Sequence, residues 1–131
     1  MNANHEKMLN TVDKALKDKA VGKLTFWDDE DCPNCMLGWA AHANGTTAHA
    51  YHPDGVSPGT MGDGRYKREQ KFWTTALDLR PDCGDKLFEY VSLSDCDSYS
   101  LFSCVTTNND YGDQDKARAW LEYILREFGN A

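Results

Sequence analysis

The chain has 131 residues, 40% hydrophobic and 11% aromatic, enough core-forming surface for one folded domain over 1–131 and too much for a disordered chain. Its formal charge of −7 excludes nonspecific nucleic-acid binding, which needs Lys and Arg to neutralise phosphates. No apolar run approaches the roughly 20 residues of a membrane span, and Met1 to Lys19 is too polar for a signal or anchor, so a membrane-free, cytoplasmic protein is expected.

The first element is an amphipathic helix. Met8, Leu9, Val12, Ala15, Leu16 and Ala20 recur at three- and four-residue spacing, Asn2 or Asn4 can cap the start, and Gly22 offers a stop. Leu24 and Phe26 alternate within 23–27, which suits a short strand. A second helix is expected from Pro33, with Met36, Leu37, Trp39, Ala40 and Ala43 as its apolar face up to Asn44-Gly45.

The segment 44–64 reads as a long Gly/Pro-rich loop carrying five Gly and two Pro, with weak strand alternation over 46–52. A third helix runs from about Arg65 to Leu79, burying Phe72, Trp73, Ala76 and Leu77, and Pro81 forbids its continuation. A short helix over 85–93 with Leu87, Tyr90 and Val91 inward follows. The β-branched and aromatic residues of 101–107 suit a strand, and Asn108 to Gly112 suit a turn. Ala117, Trp120, Leu121, Ile124, Leu125 and Phe128 mark the closing helix, with Asp113 or Asp115 as N-cap, a Glu122–Arg126 pair and Gly129 at its end. The fold class is mainly α: a compact bundle of four to five helices, with room for a small two- or three-stranded β element.

Three constellations bear on chemistry. Cys32-Pro33-Asn34-Cys35 opens a predicted helix, as a thiol redox motif does, and so suggests a small thiol oxidoreductase. The carboxylates Asp28, Asp29, Glu30 and Asp31 directly before it oppose thiolate formation. Cys32 and Cys35 with His49 and His52 could instead complete a tetrahedral zinc site, although His49 and His52 are more closely spaced than zinc-ligand histidines usually are. Cys35 and His42, seven residues apart on one helix, sit about 10 Å apart, too far for direct proton transfer. The odd number of cysteines, five, points to reduced thiols, with Cys96 and Cys104 acting as small hydrophobes.

Two segments resemble a bacterial and phage family, domain of unknown function 6197. The resemblance is carried by the opening helix and by Cys35-Met36-Leu37-Gly38-Trp39-Ala40, similar to a Cys-x-x-Gly-Ala helix with Trp39 in place of the alanine. It continues in Val105 to Leu125, with an Asn109-Asp110 turn, Gly112 and a closing helix. It implies a compact helical fold without assigning an activity. It also implies that Cys35 is the matched cysteine, that Cys32 is incidental, and that Gly38 serves close helix–helix approach.

With no catalytic constellation complete, the expectation is a non-enzymatic binding or regulatory protein, of the phage or mobile-element accessory kind, acting on a host protein. Its candidate surface is the acidic run Asp28, Asp29, Glu30 and Asp31 with His49, Tyr51, His52 and Met61 of the long loop. No cofactor is required under this reading, and zinc belongs to the alternative. A small-molecule ligand near Tyr51, Tyr66 and Trp73 is a further expectation.

Overall fold

Asn2 starts the first helix: its side chain accepts from the His5 amide at 2.9 Å, satisfying one of the free donors of helix α1 (Ala3–Lys17). This and the description below come from a computed structural model, which describes residues 1–28, 32–51, 65–89 and 100–131. The buried stripe of α1 is His5, Met8, Leu9, Val12 and Ala15. The helix ends at Lys17, ahead of Gly22, where Lys19 takes a positive φ of 56°. Ala20 is therefore exposed rather than part of the stripe.

Helix α2 (Met36–Ala43) begins three residues after Pro33, with Cys35 in the N-cap position. Pro33 instead forms an isolated antiparallel bridge with Trp27. Helix α3 (Ala48–Tyr51) occupies the front of the supposed long loop. Helix α4 (Arg65–Ala76) stops before Leu79, and Asp78 turns the chain with a φ of 54°. A 3-10 turn (Pro81–Cys83) leads into α5 (Gly84–Phe88). Tyr90 and Val91 lie outside the described residues. Helix α6 (Leu101–Tyr111) is capped by the Ser100 side chain, which accepts from the Ser103 amide. Helix α7 (Gln114–Phe128) is capped by Asp113.

The mainly helical reading stands, and the β element does not. Among the described residues there is no strand, only the bridges Trp27–Pro33 and Leu79–Gly129. Segment 46–52 contains α3, and segment 101–107 lies in α6, where the Ser100 cap and packing against α7 outweigh the β-branched composition. The expected turn at Asn108 to Tyr111 is the last turn of the same helix. Helices α1, α2, α4, α6 and α7 run two turns or more, in keeping with a bundle of about five, and α3 and α5 are single-turn additions.

Helix α6 packs most extensively on α7, α1 on α2, and α5 bridges α4 and α6. One buried cluster draws on all of them, with Trp73 fully buried at its centre. Arg118 of α7 clamps Asp13 of α1 through two hydrogen bonds, at 2.7 and 3.0 Å, and the expected Glu122–Arg126 pair closes at 3.6 Å. The chain ends are tied through His5 and Asp78. His5 Nε2 faces the carbonyl oxygens of Leu77 and Asp78, while Asn2 and Asn130 donate to the Asp78 carboxylate. No helix among the described residues is long and apolar enough to cross a membrane.

Candidate functional site

The Cys-Pro-Asn-Cys motif works through its asparagine. The Asn34 side-chain amide donates to the Lys23 and Thr25 carbonyls and to Thr25 Oγ1, and its backbone N–H donates to the Phe26 carbonyl at 2.9 Å. The Gly22 and Cys35 amides complete the pairing of this segment. A short side chain that can answer backbone donors and acceptors is what an irregular segment requires. Gly38 of α2 meets the same segment: a β-carbon there would overlap the Phe26 carbonyl oxygen. The close approach is thus helix to loop backbone, not helix to helix.

Held this way, segment 22–27 forms one wall of a cavity of about 490 Å³ against α6. Phe26, Phe88 and Phe102 line it, together with Thr25, Ser100, Ser103 and Thr106. Phe88 and Phe102 lie with ring centroids 4.7 Å apart, and Phe26 packs edge-on to Trp73 at 4.8 Å. At the rim stands Leu24, 66% exposed, with a φ of 78° that a branched side chain disfavours. Its amide is held by Asp110 Oδ1 at 2.9 Å. Backbone strain on an exposed apolar residue does nothing for the core, and strain of this kind collects at binding sites.

Glu69 also lines the cavity and is only 9% exposed. The Tyr51 hydroxyl donates to its Oε1 at 2.7 Å and Trp73 Nε1 donates to its Oε2 at 3.0 Å. Both donors are neutral, and among the described residues no cation pairs with this carboxylate. Burying a carboxylate is costly without a charge partner, so two fixed aromatic donors offset only part of that cost.

The site expected from sequence divides. Asp28 is exposed and accepts from the Cys32 amide, and His49 is exposed on α3. Tyr51 is buried, not a surface contact, because its ring packs on Phe72 and its hydroxyl reaches Glu69. Asp29, Glu30, Asp31, His52 and Met61 lie outside the described residues. Cys32 is exposed whereas Cys35 is buried, and no three His, Cys, Asp or Glu side chains gather around a metal-sized point among the described residues. Burial pushes the Cys35 thiol up to about 11, against the pull of the Gly38 and Leu37 amides. A thiol in that setting is a poor nucleophile and a poor metal ligand at neutral pH.

One cysteine expectation is corrected outright. Cys104, fully buried on α6, is disulfide-bonded rather than a reduced thiol. An odd cysteine count leaves room for a bridge, so the count alone could not exclude one.

Glu69 was not singled out from sequence, and Asn109 was read there only as part of a turn. Glu69 sits four residues before Trp73, the spacing that places it beside the indole on one helix face. Asn109 is buried at 1% exposure and donates to the Gly22 carbonyl and to Asp110, fixing the base of the same segment. None of the family models, curated proteins or solved structures compared with this chain matches it.

Proposed function

We propose that this chain is a non-enzymatic binding protein whose ligand is a small organic molecule held in the cavity between segment 22–27 and α6. The observation that carries this is Glu69, a buried carboxylate at the cavity wall whose donors among the described residues are both neutral. The volume, about 490 Å³, falls within the roughly 300–1,000 Å³ typical of small-molecule sites. Apolar rings with a few polar groups on the wall match that class of site. Support for binding over catalysis comes from the described lining: Cys35 is the thiol among those residues, held protonated, and no histidine stands among them to serve as base.

A second reading keeps the partner protein of the phage or mobile-element setting. The charge of −7 and the exposed Asp28 and His49 favour it. Pull-down with Asp28→Ala and His49→Ala tests that surface, and unchanged recovery of a partner removes it.

For the leading reading, a two-dimensional NMR screen of small-molecule fragments against the full chain is the test. Shifts concentrated on Phe26, Glu69, Phe102 and Ser103 are expected. Shifts scattered over the surface, sparing these residues, overturn it.

A further inference from the structure

We propose that this cavity selects an organic cation, a protonated amine or a guanidinium, with its charged head toward Glu69 and Asp110 and its apolar body against Phe26, Phe88 and Phe102. The inference rests on the binding reading above and adds the ligand's charge.

The described lining carries two carboxylates and no Lys, Arg or His. An anion entering there meets uncompensated like charge, and a neutral molecule leaves both carboxylates without a counter-charge. Each Glu69 oxygen takes a single donor, which leaves acceptor capacity on both. Asp110 commits Oδ1 to the Leu24 amide and the Asn109 side chain, and no hydrogen bond among the described residues engages Oδ2. The rings add to the same preference, because an aromatic face attracts a cation and is indifferent to a neutral polar head. The Tyr51 and Trp73 donors fix the Glu69 carboxylate before any ligand arrives, which lowers the ordering cost of binding.

Isothermal titration of the full chain with three probes of one shape separates the possibilities: phenethylammonium chloride, 2-phenylethanol and sodium phenylacetate. The ammonium is expected to bind roughly tenfold or more tightly than the alcohol, with no binding of the carboxylate. Glu69→Gln and Asp110→Asn should each reduce the preference for the ammonium over the alcohol severalfold. Asp110→Asn leaves the Tyr51 and Trp73 bonds untouched, so it serves if Glu69→Gln fails to fold. Equal affinity for ammonium and alcohol overturns the charge selection and leaves the binding reading standing. Tighter binding of phenylacetate also overturns the charge selection, and binding of none of the three at millimolar concentration overturns both.

Discussion

Removing the Glu69 carboxylate tests whether the aromatic centre is organised around it. In Glu69→Ala the Tyr51 hydroxyl and the Trp73 indole N–H lose the carboxylate that accepts from both, and both residues are at or below 5% exposure. Each buried donor left without a partner costs about 1–3 kcal/mol. Relief of the carboxylate's own desolvation returns part of this, so a net loss of about 2–4 kcal/mol is expected. Against a typical total stability of about 5–15 kcal/mol, that is a large fraction. In urea it lowers the unfolding midpoint by roughly 1–2 M. Glu69→Gln keeps one acceptor and turns an N–H₂ toward the other donor, so its loss should be smaller, about 1–2 kcal/mol. The order alanine worse than glutamine is the signature of the bonds rather than of the charge. The Trp73 indole proton resonance should move upfield in Glu69→Ala, reporting the lost bond directly. An unchanged midpoint for Glu69→Ala, or an unmoved indole proton, refutes the reasoning.

Gly38→Ala should destabilise by about 1–3 kcal/mol despite the alanine's better helix propensity, because the new methyl meets the Phe26 carbonyl rather than a side chain that can turn away. Thermal melting checks the sign, and a stabilised variant contradicts the close approach. The Cys35 thiol, raised by burial from 9.0 to about 11, favours the folded state fully below pH 9. That contribution is lost as the pH climbs toward 11, since the unfolded thiol ionises first, so stability should fall over that window less in Cys35→Ala than in the native chain. Alkylation of the native protein at pH 8 should mark exposed Cys32 and spare Cys35 until denaturant is added. Protein purified without a His tag should carry no stoichiometric zinc, and elemental analysis finding one zinc per chain would restore the site of Cys32, Cys35, His49 and His52.

The terminal helices were legible because burial there follows a single 3.6-residue period: of the predicted α7 stripe, Ala117, Leu121, Ile124, Leu125 and Phe128 are buried and Trp120 is half-buried. His5 extends the α1 stripe by the same rule, three residues ahead of Met8. Helix α6 was hidden because Val105, Thr106 and Thr107 favour strands in isolation, and only the Ser100 cap argued otherwise. The cysteine motif drew attention to its sulfurs, while the structural role falls to Asn34 between them. Glu69 was masked by its neighbours. Lys67, Arg68 and Lys71 make that stretch read as a wet helix face, and only the four-residue step to Trp73 hints that the acid turns inward. The cavity itself joins segment 22–27 to α4, α5 and α6, contacts distant in sequence that no local pattern encodes.

The central claim is that the cavity beside Glu69 is where a ligand sits. A crystal structure of the full chain soaked with phenethylammonium chloride tests it most directly. The expected result is the ring among Phe26, Phe88 and Phe102, with the ammonium within hydrogen-bond reach of the Glu69 carboxylate. A probe found only on the surface, with the cavity holding solvent, contradicts the claim.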